Sequence, residues 1–236
     1  MAELQHALLR AQKVGSPELT STVQGLLAMT LLFCGDPHRA IEAARKTAEM
    51  AEQSGLWFLV RFGLGFQAVA EAWAGQFEAA EATMARVQLI SLELGERLVF
   101  EDWFLAARAQ IALGMGRIQE ALDLAERAVV IAQEMDSLAG EGIAQVMWGQ
   151  VLTALEPPRW DEAEARFVGA LRVIESVPSP PVAANLHLIW GTVCRDRGDL
   201  AAAREHWEQA ASLWEACGIT WHVDTVRGLI EALPEV

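Results

Sequence analysis

Gly198-Asp199-Leu200-Ala201-Ala202-Ala203 places a turn glycine five residues ahead of an alanine, and that offset recurs along the chain. Gly35 with Ala40, Gly75 with Ala80, and Gly116 with Ala121 repeat it at a spacing of 40 to 42 residues. A further copy has Ala163 in register behind a longer turn, Leu155-Glu156-Pro157-Pro158-Arg159. A fixed period of this length is the mark of an array in which each unit buries its apolar face against the next.

A second series, Gly15, Gly55, Gly95 and Gly218, marks the other turn of each unit, with Pro178 to Pro181 serving between the fourth and fifth. Between these marks apolar residues recur at three- and four-residue spacing, as in Ile41, Ala44, Ala48 and Ala51, and no segment alternates as a strand does. Asp36 and Asp199 supply caps, with Pro37 at a first helical position. The pattern predicts helices beginning near residues 2, 17, 37, 57, 77, 97, 117, 138, 160, 181, 200 and 220.

These units resemble the tetratricopeptide repeat, whose first helix carries a small residue and whose second runs alanine, large residue, alanine after the turn. The fifth unit fits best, with Gly191, Gly198, Ala203, Trp207 and Ala210; the fourth gives Gly149, Ala163, Phe167 and Ala170. In the third unit Ala125 replaces the large residue, and the first two match only at Ala28, Gly35 and Ala40, and at Ala68, Gly75 and Ala80. The expected fold is an all-α solenoid of about five such helix-turn-helix repeats with flanking helices, wound as a right-handed superhelix and forming one domain over residues 1–236. The long, alanine- and arginine-rich unit is similar to the C-terminal arrays of bacterial signalling proteins, among them nucleotide cyclases with an ATPase module and ATP-dependent transcription activators. Residues 2 to 14 read as a second helix without its first, so the chain is expected to be a fragment of a larger protein.

Composition narrows the function. Hydrophobic residues make up 53% of 236, enough for a sizeable core, and no apolar run reaches the roughly 18 residues of a membrane span. A net charge of −14 disfavours nucleic acid and anionic membrane as partners. Three cysteines without close spacing point to a reducing, cytoplasmic setting. Lys46-Thr47 lacks the glycines of a phosphate-binding loop, and Gly-x-Ser-x-Gly does not occur. One Glu-x-x-His, Glu3 with His6, is half of a di-iron motif. The dispersed His38, His187, His206 and His222 read as surface or groove residues, and Cys194 as packing. No enzyme activity, cofactor or metal is expected.

The resemblance implies a concave face lined by the first helix of each pair. Projected onto this sequence, it carries Arg61, Phe62, Phe66, Val69 and Trp73, then Trp103 and Gln110, then Met147 and Gln150, then Asn185, Leu188 and Thr192. Arg61 and Arg108 are its nearest cations, while Trp57, Phe58, Trp148 and Trp190 read as packing residues. The lysines by which chaperone-binding relatives hold acidic peptide termini are missing. The expected role is a non-catalytic interaction or regulatory module that binds a protein or peptide, or an adjoining domain of its own polypeptide. Two alternatives are a sensor enclosing a small apolar ligand, and a homodimer formed through Leu4, Ala7, Leu8 and Ala11 of the N-terminal helix.

Overall fold

The computed structural model describes residues 2–94, 99–176 and 179–234. Among them run α1 (Ala2–Val14), α2 (Pro17–Phe33), α3 (Pro37–Gln53), α4 (Trp57–Trp73), α5 (Phe77–Leu94) and α6 (Glu101–Gly114). They continue as α7 (Ile118–Glu134), α8 (Leu138–Thr153), α9 (Trp160–Ser176), α10 (Pro180–Arg197), α11 (Leu200–Ala216) and α12 (Thr220–Glu231), and no strand occurs among the described residues. Every expected start but one falls within one residue. The exception is α6, expected from residue 97, which lies outside the described residues; α6 starts at Glu101.

The turn chemistry is local. At Gly35, Gly55, Gly75, Gly198 and Gly218 the backbone takes a positive φ of 68 to 90°. That conformation lets two amides turn back on the helix end, as where Gly35 N–H donates to Leu32 O and Asp36 N–H to Leu31 O. Asp136 fills the same role between α7 and α8, with φ 51° and Ser137 N–H donating to Ala132 O. Asp36 and Asp199 cap α3 and α11 by accepting from Arg39 and Ala202 N–H, each at 3.1 Å.

The chain divides into two compact units, residues 1–116 and 117–236. In the first, α1 to α6 bury Leu32, Ala44, Val60, Leu64 and Val87. In the second, Ala163, Phe167, Ala170 and Ile174 of α9 meet Val146, Leu152 and Leu186 in one core cluster. Trp207, Trp214, Val223 and Val226 form another between α11 and α12. The alanines of the repeat signal, Ala40, Ala80, Ala121, Ala163 and Ala203, are all at most 1% exposed, which is why a larger side chain is excluded there.

Candidate functional site

The first unit concentrates aromatic rings between α4 and α6. Phe66, 1% exposed, is the hub, with ring centroids 4.9 Å from Phe62, 5.5 Å from Phe100, 5.9 Å from Trp103 and 6.0 Å from Phe104. Phe33 of α2 extends the group, 5.3 Å from Trp103. Most of these pairs are edge-on, the geometry the ring quadrupole favours. The rings approach because glycine clears the way: a Cβ on Gly65 would lie 2.1 Å from the Phe104 ring, and one on Gly25 would lie 2.3 Å from Phe62.

A small pocket opens at the edge of this cluster, lined by Phe58, Arg61, Phe62, Val99, Phe100 and Phe104. Away from the solvent at its mouth it has room for about one water molecule. Phe100 sits just ahead of α6 with φ 68°, a left-handed conformation that costs a non-glycine residue about 1–2 kcal/mol. Three ring contacts, to Phe62, Phe66 and Trp103, hold it there. Trp57 and Phe58 lead into α4 and remain 46% and 49% exposed.

Charge is buried in the same unit. Arg61, Glu71 and Asp102 are 2%, 5% and 1% exposed, and Gln67 Nε2 donates to Glu71 Oε1 at 2.7 Å. Arg108 is half-buried, and with the Gln88 amide turned so that its oxygen faces the guanidinium it donates there at 3.0 and 3.2 Å.

Of the residues projected onto a groove, Arg61, Phe62, Phe66 and Trp103 come together at this cluster. Val69 is buried further along α4, Trp73 ends that helix half-buried, and Gln110 is half-buried on α6. In the second unit Met147 is 5% exposed and Gln150 half-buried on α8. Asn185 and Thr192 turn their polar groups into their own helix, donating to Pro181 O at 3.0 Å and Leu188 O at 2.9 Å. Leu188 packs on the core of α11 and α12. Trp57 and Phe58 do not pack away as expected; they are exposed. Phe100 and Phe104, which complete the pocket with Val99, stand four residues apart across the start of α6, and that spacing was the available signal. Trp148 and Trp190 do pack against the α8–α10 core, with the Arg166 guanidinium 3.7 Å above the Trp148 ring.

No group of three or more His, Cys, Asp or Glu able to hold a metal ion occurs among the described residues. Burial pushes the Cys194 thiol up to about 11, so it stays protonated and poorly nucleophilic at neutral pH. No helix among the described residues is long and apolar enough to cross a membrane.

By sequence, no family model and no curated protein matches this chain. Solved structures do match it. The apo form of RapI superposes with a TM-score of 0.70 at 14% identity, covering 88% of this chain and 74% of its own. A signal transduction ATPase with numerous domains from Pyrococcus horikoshii, which carries a tetratricopeptide repeat sensor, matches at a TM-score of 0.53. The fold is that of the tetratricopeptide-repeat proteins. The Pyrococcus match has 15% identity and covers 92% of this chain and 38% of that one. The apo quorum sensor NprR from B. thuringiensis matches at a TM-score of 0.55 and 14% identity, covering 98% of this chain and 70% of its own. At such identities the tetratricopeptide likeness speaks for the arrangement of helices and not for a shared ligand.

Proposed function

We propose that this chain is a non-catalytic interaction and regulatory module of a cytoplasmic signalling protein. In this reading it holds a polypeptide, or a neighbouring domain of its own polypeptide, on the aromatic face of α4 and α6. The observation that carries the proposal is the pair Trp57 and Phe58, half exposed beside a ring cluster whose Phe66, Trp103 and Phe104 are buried. Exposed aromatics braced against a rigid, desolvated floor are what binding hot spots are made of. The neighbours described as a quorum sensor and a tetratricopeptide repeat sensor support a regulatory setting. A net charge of −14 argues against nucleic acid as the partner.

A second reading, a sensor for a small apolar ligand, has the phenyl rings of the pocket wall behind it, although the space inside is about water-sized and would have to widen. Dimerisation through α1 has less behind it. Ala11 is 6% exposed and Leu4, Ala7 and Leu8 are half-buried, so the stripe meant to pair two copies is already largely used.

Selection of random peptides against the full chain tests the proposal, run in parallel on the Trp57→Ser and Phe58→Ser variants. A consensus rich in large apolar residues is expected, weakened by about 30-fold or more at either position, a hot-spot loss of about 2 kcal/mol, with melting unchanged. Variants that select the same consensus as the parent would move the contact elsewhere. No consensus at all, together with a rise in melting temperature on adding indole or toluene, would put the ligand sensor in its place.

A further inference from the structure

In the second unit two histidines far apart in sequence meet. His187 of α10 and His206 of α11 bring their Nδ1 atoms to 3.0 Å, with both side chains half-buried. His206 also stacks on Trp190, centroids 4.2 Å apart at 24°, and Trp190 stacks on Phe167 of α9 at 5.6 Å and 23°. The pair therefore ends a column of flat rings that ties three helices together. Among the described residues no third ligand joins it to make a metal site, so the contact is a matter of protons.

We propose that His187 and His206 are a proton-operated latch between α10 and α11, closed by one N–H···N hydrogen bond and released when the pair takes up its second proton. The count of protons requires this order. In the neutral pair one ring donates from Nδ1–H, leaving its Nε2 bare, and the other accepts at Nδ1 and carries its hydrogen on Nε2. A first proton from solvent goes to the bare Nε2 of the donor, and the hydrogen bond survives as a charge-assisted one. The lone pair left for a second proton is the accepting Nδ1. Protonation there puts N–H against N–H and one positive charge against another at 3.0 Å, and the contact must open.

The surroundings set where this happens. Burial holds both histidines below their ordinary value of 6.5, and for His187 the charge on His206 lowers it further. Glu175 of α9 and Glu205 of α11 pull His187 the other way, as Glu205 and the capping Asp199 do for His206, without overcoming burial. A value lowered on folding means that the stabilisation is complete above about 6.5 and is lost as pH falls below it. The two steps belong to the pair and not to either ring. Release is local, because Trp207 Nε1 still donates to Leu188 O at 3.2 Å across the same two helices. This device belongs to the second unit and stands whether or not the aromatic face of α4 and α6 in the first binds a partner.

The test is a titration of the full chain from pH 8 to 4 by ring-nitrogen NMR, with amide hydrogen exchange corrected for its intrinsic pH dependence. Two separated steps shared by His187 and His206 are expected. Across the second, lower step and not the first, amides of α10 and α11 should lose at least tenfold in protection while those of α3 and α4 hold theirs. In His206→Gln, and in His187→Gln as its mirror, the amide side chain bonds without titrating and the acid response should vanish. Rings that titrate independently near 6.5, or an acid response that persists in both variants, would overturn the latch. Should neither variant fold, the shared steps and the confined loss of protection in the native chain still decide it.

Discussion

Residues 1–116 and 117–236 both use glycine to bring helices together, but they fill the space from different directions. In the second unit the ring or branch opposite three first-helix glycines comes from the second helix of the same pair: Phe167 of α9 faces Gly149 of α8, Ile174 faces Gly142, and Trp207 of α11 faces Gly191 of α10. In the first unit two rings come from the next first helix along, Phe62 of α4 against Gly25 of α2 and Phe104 of α6 against Gly65 of α4, while Phe77 of α5 reaches forward to Gly114 of α6. One arrangement knits a pair shut. The other runs an aromatic ladder from pair to pair and leaves Trp57, Phe58 and the pocket at its edge.

Removing the filler from a knitted pair should have the largest effect. Trp207→Ala takes away a fully buried ring and its hydrogen bond to Leu188 O. The expected loss is about 3–5 kcal/mol, read by denaturant unfolding. A loss below about 1 kcal/mol would mean that α10 and α11 are held by something other than this filler.

Overpacking the ladder comes next. Gly65→Ala sets a methyl group against Phe104, 3% exposed and locked among other rings, so the ring has little room to yield. The added helix propensity is worth about 1 kcal/mol in the other direction, so the net loss is expected at about 1–2 kcal/mol. Gly63→Ala on the same helix should cost more, since its methyl group meets the backbone of α3, Ala48 N at 2.6 Å and Ala44 O at 3.0 Å. Gly228→Ala in α12 has nothing within 4 Å and should gain about 0.5–1 kcal/mol. Unfolding curves of the three variants check both the signs and the order. Equal values for all three would mean that packing at these glycines plays no part.

The contrast between the units also explains what the sequence disclosed. Gly149 with Phe167 and Gly191 with Trp207 are spaced as pairing within one repeat requires, so the fourth and fifth repeats were legible. Gly25 with Phe62 and Gly65 with Phe104 are each separated by a whole repeat, and nothing in a local spacing announces them. The first and second units therefore matched the family loosely although their helices are regular. The projected lining is more deeply packed than spacing alone conveys, for a related reason. Phe66, Val69 and Trp103 do sit on α4 and α6, but the rings of one helix bury those of the next, and the exposed aromatics are Trp57 and Phe58 at the mouth of α4. The start of α6 was displaced because Phe100 takes the left-handed conformation that the chain elsewhere gives mainly to glycine. His187 and His206, nineteen residues apart, meet across a helix pair where periodicity carries no information about side-chain chemistry.

The smallest expected effect separates the two residues other than glycine that have positive φ among the described residues, one in each unit. Phe100→Gly relieves about 1–2 kcal/mol of backbone strain but forfeits edge contacts to Phe62, Phe66 and Trp103, each worth about 0.5–1.5 kcal/mol beyond its buried area. Contact should win, giving a net loss of about 1 kcal/mol. Asp136→Gly relieves a milder strain, since aspartate visits this region more readily than phenylalanine, and its side chain is exposed at the α7–α8 turn. Against that, glycine loses more conformational entropy on folding, so the gain is expected at only about 0.5 kcal/mol. Opposite signs for the two substitutions, read from chemical unfolding, would establish that the first unit keeps a strained residue for its ring while the second merely tolerates one. Matching gains would mean that the Phe100 ring contributes nothing, and the aromatic ladder would then end at Phe104.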